Sequence, residues 1–431
     1  MKQPETRHNG SFPYFLFMNH SIDIWQQAVL DNSDRAEDIH DALYDEVPSM
    51  VCGVFERTCN LQCTHCLFQE EQSSLGQSLR NNYQECAENL ILQTPSDGPE
   101  SPAFLHEGRI VSPWHIDLFK TIQAERPDIS RGLIDNGSYT RLIEQFKEKD
   151  VTLDWMDISI DGVEENHNKN RDPIEQESFD EALNGLKRAR EIVEGRVTSL
   201  MTLQTINYAD VPDVADVLFQ TNPEHPSHDL ADEMHITFMV PHLRRNHAID
   251  IEQRHMNKIW TDVKQTVHQH RGRTDKVFFK VYGHHHLELL AEAIGNKKFL
   301  DALEDAETRP GTIIPEIEGV PVHIYPYSIF PQECLFLDAD STQRVAHSQS
   351  MTLQELHRPE NQEYTVQRLS PHMDYEEAHR TAVTHWWNNF GEAYLQKEAE
   401  VMSKIRAKAD ETTDINSGED YGVCDNQKAR L

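Results

Sequence analysis

The chain has 431 residues, enough for one large domain with appendages or for two to three ordinary domains, and its 38% hydrophobic content suffices for a core. Asp and Glu number 73 against 40 Lys and Arg, a formal charge of −33 at pH 7. Such a surface repels phosphate backbones and argues against a nucleic-acid partner; it reads as a strongly solvated exterior. The apolar run at 12–18 is far short of the ~20 residues a bilayer span needs, and residues 1–10 lack a signal peptide's apolar segment. No membrane partner is expected, and the expected compartment is the cytoplasm.

Taken in chain order, residues 21–43 show helical spacing of apolar positions with Asp-rich faces, and 50–55 reads as a short buried strand. From there strands and helices alternate. Strands are expected at 50–55, 103–105, 131–134, 154–160, 197–206 and 235–240. Helices are expected at 79–92, 116–124, 139–149, 179–193, 211–219 and 251–270. Asp135-Asn136-Gly137 and Asp161-Gly162 mark turns after the third and fourth strands. Six strand–helix units in series predict an α/β fold with parallel strands joined by crossovers. Beyond 275 the alternation weakens. Strands are expected at 277–282 and 320–325, a hairpin of 335–337 and 344–346 around Asp340-Ser341, one or two helices over 373–408, and a disordered tail over 409–431.

Cys59, Cys63 and Cys66 form C-x₃-C-x₂-C directly after the first expected strand. Thiolates bind cubane iron–sulfur clusters, and three of them leave one iron open for chemistry. A structural zinc site would want a second cysteine pair, but Cys52, Cys86, Cys334 and Cys424 are scattered singly. The tight trio points to thiolate chemistry in a reducing compartment rather than a disulfide framework.

The trio resembles the signature of radical S-adenosylmethionine (radical SAM) enzymes, which carry it on a partial (β/α)6 TIM-like barrel. Over roughly 50–270 the order of elements agrees. Asp157-Ile158-Ser159-Ile160-Asp161-Gly162, followed by Glu165, His167 and Arg171, resembles the fourth-strand segment of the branch that matures peptides and sulfatases. The resemblance implies that Ser159 and Arg171 hold the SAM carboxylate, a guanidinium being suited to a two-pronged grip. Leu105-His106-Glu107-Gly108 stands where the family has Gly-Gly-Glu, and only Glu107 matches. Asn136 stands at the third strand's end, Thr205 and Asn207 end the fifth strand near the expected SAM ribose, and Met239 (with Pro241) ends the sixth near the adenine. His65 takes the position before the last cysteine, which is often aromatic and packs on adenine.

The same resemblance divides the chain into an N-terminal helical extension (1–48), the barrel (49–272) and a small α+β C-terminal region with helices (273–408), ahead of the 409–431 tail. Cys334 to Asp340, 344–347 and 350–356 resemble the opening of the SPASM-type extension, here without its auxiliary-cluster cysteines. The His284-His285-His286 run is not expected to bind metal, since adjacent helical residues diverge, and Trp386-Trp387 is expected to pack between helices.

What the resemblance implies is one [4Fe–4S] cluster, SAM bound at its open iron, and an electron from a reductant such as flavodoxin or ferredoxin. Reductive cleavage then yields a 5′-deoxyadenosyl radical that abstracts hydrogen from a peptide or small-molecule substrate. Three alternatives stay open: a sugar- or antibiotic-tailoring radical SAM epimerase, dehydratase or dehydrogenase; a non-enzymatic iron–sulfur carrier or redox sensor; and a structural zinc site.

Overall fold

The computed structural model describes residues 20–31, 34–54, 59, 61, 63, 65, 77–96, 101–108, 113–171, 177–238, 251–270, 276–329, 334–338, 344–347 and 367–417. Two helices, α1 (His20–Leu30) and α2 (Ala36–Asp45), precede β1 (Met50–Val54). There follow α3 (Gln77–Leu92), β2 (Ala103–Glu107), α4 (Pro113–Glu125), β3 (Ser130–Asp135), α5 (Ile143–Glu148) and β4 (Leu153–Ser159). Next come α6 (Glu164–Arg171), α7 (Ser178–Arg188), β5 (Val193–Leu203), α8 (Val211–Leu218), β6 (Glu233–Phe238) and α9 (Gln253–Gln269). The remainder is β7 (Val277–Tyr282), α10 (Gly283–Ile294), α11 (Asn296–Glu304), β8 (Glu307–Arg309), β9 (Thr312–Ile314), β10 (Glu316–Ile317), β11 (Val320–Tyr325), β12 (Leu335–Asp338), β13 (Arg344–His347), β14 (Gln367–Arg368), α12 (Tyr375–Trp386) and α13 (Glu392–Ser417).

Strands β1 to β7 pair in parallel, each with its successor. The path is an open sheet, as in a partial TIM-like barrel. Strand side chains alternate between two faces. Met156 and Ile158 of β4, and Val277, Phe279 and Val281 of β7, are fully buried in the main core. The helices supply the matching stripes: Val211, Val214, Ala215 and Leu218 of α8 recur at i, i+3, i+4 and i+7. Each fully buried Val, Leu, Ile, Met or Phe among them contributes about 1.5–3 kcal/mol of transfer free energy.

The sheet does not stop at the sixth strand. β7 pairs in parallel with β6, and β11 pairs in parallel with β7. On the other edge β12 pairs in parallel with β1, then continues antiparallel into β13 and β14. The hairpin expected around Asp340-Ser341 is therefore present in its strands and docks on β1. The C-terminal region thus flanks the six expected strands on both edges.

Several elements differ from the sequence reading. The helical stretch at 21–43 is two helices, and both end in the core: Trp25, Ile39 and Leu43 are buried. α6, α10 and α11 were not anticipated; α6 is highly polar and its burial comes from His167, Asn168, Asn170 and Arg171. The expected helix at 139–149 opens with a 3₁₀ turn, Ser138–Leu142, before α5. α13 runs on to Ser417 through the start of the expected tail, because Val401, Met402, Ile405 and Ala409 keep a buried helical stripe; 418–431 lie outside the described residues. Trp386 and Trp387 are buried, and His286 stacks on Phe238 at 4.6 Å.

The terminal helices are tied to the barrel by a buried carboxyl. Glu398 of α13 accepts from Trp25 Nε1 of α1 at 2.6 Å and from the Ser328 backbone N–H at 3.2 Å, and also from the Ser328 hydroxyl. Tyr375 of α12 donates its hydroxyl to the Pro48 carbonyl at 2.9 Å, just before β1.

Candidate functional site

Because the strands are parallel, their carboxyl ends gather at one rim, where a barrel of this kind places its chemistry. The cysteine loop leaves β1 at that rim. Cys63 is buried and Cys59 half-buried, while Cys66 lies outside the described residues. Among the described residues no group of three or more His, Cys, Asp or Glu is gathered as a metal site, so Cys59 and Cys63 are the described part of the trio.

The third strand's end is built to face this loop. Asp135 Oδ1 accepts from the backbone N–H groups of Gly137 at 2.8 Å and Tyr139 at 3.1 Å. Asn136 Oδ1 accepts from the Ser138 N–H at 3.1 Å, which turns Nδ2 toward Cys59 Sγ, 3.8 Å away. Gly137 is required there: its φ is 99°, and a Cβ would lie 2.6 Å from the Glu181 carbonyl oxygen. Cys59 Sγ also accepts the Leu61 N–H at 3.4 Å. Both donors fix where the Cys59 sulfur sits, as outer partners fix a metal ligand.

The fourth strand's end carries an ionic centre. Ser159, its last residue, is buried, and Asp161 follows with no exposure. Arg171, at the end of α6, donates from Nε to Asp161 Oδ2 at 2.5 Å. Asp161 Oδ1 accepts the Thr202 N–H at 2.7 Å, and the Asp161 N–H donates to His167 Nδ1 at 3.0 Å. Burial, the largest single influence, opposes ionisation of Asp161, but Arg171 and the smaller contributions of the facing groups, the Thr202 N–H among them, together hold the carboxyl below its ordinary value. Burial likewise opposes the Arg171 charge, but Asp161 first and the cysteine loop after it raise it above its ordinary value. His167 is neutral: burial pushes it down to about 3.

His65 reaches back from the cysteine loop into this centre. Its Nε2 faces Asp161 Oδ2 at 3.4 Å and its Nδ1 faces Gln204 Nε2 at 3.1 Å. Gln204 is fully buried at the end of β5 and was not singled out in the sequence. Asn207 serves the same turn: Nδ2 donates to the carbonyls of Asp161 at 2.8 Å and Thr202 at 2.9 Å, and Oδ1 accepts the Gln204 N–H at 2.7 Å. Thr205 sits half-buried in that turn; Met239 and Pro241 lie outside the described residues.

At the end of β2, half-buried Glu107 accepts from the Cys52 thiol at 3.6 Å; burial pushes its carboxyl up to about 7. Below the rim, Glu233 contacts Arg196 at 3.2 Å and His235 at 3.0 Å. Burial pushes Glu233 up to about 7 and His235 well below its ordinary value. Asp157, one pleat beneath Ser159, is buried in the same field of Lys280 and Arg196.

The donor set fits an iron–sulfur cluster with an anionic partner beside it. Two loop thiols share the rim with an amide donor and a buried guanidinium whose charge they stabilise. Of the predicted residues, the structure sets Asn136 against Cys59 and brings His65 of the same loop and Arg171 onto Asp161; Ser159 stands two residues before Asp161 at the end of β4, Glu107 lies at the end of β2, and Asn207 is spent on the turn. Asp161 was read only as part of a motif and a turn. Its signal was its place between Ser159 and Arg171, but the His65 contact spans the fold and no local pattern shows it.

Comparison with known proteins gives the following. Residues 54–218 match the family model described as the Radical SAM superfamily. A stretch of 176 residues is 31% identical to Fe-coproporphyrin III synthase of Methanosarcina barkeri (strain Fusaro / DSM 804), covering 40% of this chain and 41% of that one. The chain therefore spans about two-fifths of the length of the curated relative it matches. Among solved structures, Streptococcus suis SuiB is similar with a TM-score of 0.49 and 10% identity, over 81% of this chain and 72% of that one. The structure titled native anSMEcpe with bound AdoMet and Cp18Cys peptide gives 0.43 and 10%, over 80% and 98%.

Proposed function

From a chain that carries a radical SAM domain over 54–218, we propose an enzyme that cleaves S-adenosylmethionine reductively and abstracts hydrogen from a peptide or small-molecule substrate. The family's cofactors are a [4Fe–4S] cluster and SAM; when bound, they supply a 5′-deoxyadenosyl radical after one-electron reduction. The observation that carries the reading is the Arg171 guanidinium, buried at the rim on Asp161, whose carboxylate also faces His65 of the cysteine loop.

In this reading Cys59, Cys63 and Cys66 hold the cluster, and the Asn136 amide and Leu61 N–H orient the Cys59 sulfur. Arg171 grips the SAM carboxylate with the edge of its guanidinium that Asp161 does not occupy, and the buried Ser159 hydroxyl completes that pocket. Glu107 receives the ammonium end, His65 and Thr205 line the nucleoside side, and Met239 meets the adenine. Electrons come from a flavodoxin or ferredoxin in a reducing cytoplasm that keeps the thiols free.

A second substrate class, a porphyrin-type small molecule, is favoured by the 31% identity to Fe-coproporphyrin III synthase. Anaerobically reconstituted protein incubated with SAM and reductant tests the proposal. 5′-Deoxyadenosine is the expected product, and its absence with every reductant and substrate class rejects the reading. Peptide and porphyrin substrates added in parallel separate the two classes by which one accelerates its formation.

A further inference from the structure

The rim joins three things that the mechanism treats separately: the cysteine loop, the arginine assigned to the SAM carboxylate, and the turn after β5. All three meet on one residue, Asp161. Asp161 Oδ2 takes Arg171 Nε at 2.5 Å and faces His65 Nε2 at 3.4 Å, while Oδ1 is pinned by the Thr202 N–H at 2.7 Å. With Nδ1 accepting from the Gln204 amide at 3.1 Å, the His65 ring carries its proton on Nε2, toward Asp161. Asp161 has no exposure, and its own carbonyl is held by Asn207 at 2.8 Å. The carboxylate is therefore rigid before any ligand arrives.

We infer that Asp161 is a positioning residue that sets two parts of the cofactor site at once: it fixes the Arg171 guanidinium for a two-pronged grip on a carboxylate, and it latches the cysteine loop through His65. The first effect follows from geometry. A guanidinium pinned at Nε keeps its remaining edge in one plane, so a bound carboxylate meets a fork already oriented. The second follows from connectivity. His65 lies between Cys63 and Cys66, so a contact to an immobile carboxylate limits where those thiols can go. The inference rests on the proposed role of Arg171 toward SAM.

The test uses Asp161→Asn in the full chain. Asn retains an acceptor for Thr202 but not the charge that Arg171 and His65 face. Expected is a loss of SAM affinity of about 10–100-fold, the usual effect of an outer-shell partner. Affinity for 5′-methylthioadenosine, which lacks the carboxylate but still meets the His65 side of the site, is expected to fall much less. In the metal-free chain, alkylation of Cys59 and Cys63 by iodoacetamide is expected to accelerate equally in Asp161→Asn, His65→Gln and the double variant, since all three break one latch. If Asp161→Asn does not fold, Arg171→Lys for the SAM measurement and His65→Gln for the alkylation measurement decide it. Wild-type affinity in the variant, equal losses for both nucleosides, or additive alkylation rates would overturn the inference alone. A wild-type protein that binds no SAM would overturn the functional reading with it.

Discussion

Truncating Arg171 to alanine removes the one guanidinium that faces Asp161 at 2.5 Å, in a pair whose side chains are 9% and 0% exposed. Breaking a buried ion pair by deleting one partner costs about 3–5 kcal/mol, because the other charge stays buried and uncompensated. Asp161 keeps the Thr202 N–H and His65, so the lower end, about 3 kcal/mol, is the expected loss. The pH dependence carries a sign. In the native chain Asp161 is held below its ordinary 3.8, so its contribution is present above that value and is lost only as pH falls through the folded one. Without Arg171, burial raises the same carboxyl, and stability is then lost as pH rises through its new value. The difference between variant and wild type should therefore widen as pH rises from the ordinary carboxyl value of 3.8 towards neutrality. Urea denaturation of the metal-free proteins at both ends of that range measures it. A loss below about 1 kcal/mol, or a difference that does not grow with pH, would refute the buried-pair reasoning.

Glu398→Ala leaves Trp25 Nε1 and both donors of Ser328 without their acceptor in the core, and should cost at least about 3 kcal/mol by urea midpoint; a surface-like loss would mean that the terminal helices are not clamped there. Gly137→Ala places a Cβ 2.6 Å from the Glu181 oxygen at a φ of 99°, so a loss of about 1–3 kcal/mol or more is expected by thermal unfolding, and a neutral outcome would contradict the turn. The metal-free chain should be most stable between about pH 6 and about pH 7. Glu107, Glu233 and Glu398, each raised to about 7, contribute stability that is lost as pH rises through that value. His106 and His379, lowered to about 4, and His167 and His323, lowered to about 3, contribute stability that is lost as pH falls below their ordinary value. A monotonic denaturation midpoint across that range would show one set to be mis-assigned.

Much of the frame was legible because strand and helix periods are local. The alternating βα series, the loop position of the cysteines and the turn at Asp135-Asn136-Gly137 all follow from short stretches of chain. The docking of β12 on β1 was not legible, since it pairs residues near 52 with residues near 336 and no local signal encodes that choice. α6 was missed because its buried positions are His, Asn and Arg, which read as surface until Asp161 gives the arginine its partner. Glu107 reads as a loop carboxylate in sequence; only the fold places it at the end of β2, half-buried beside the Cys52 thiol. Gln204 has no motif at all, and its role exists only where the cysteine loop meets the end of β5.

The most direct measurement is iron and sulfide analysis of anaerobically reconstituted protein, with electron paramagnetic resonance of the reduced sample before and after SAM. About four irons per chain and a signal that changes on adding SAM are predicted, with both lost in each of Cys59→Ala, Cys63→Ala and Cys66→Ala. Bound zinc in place of iron, or a cluster signal indifferent to SAM, would contradict the account.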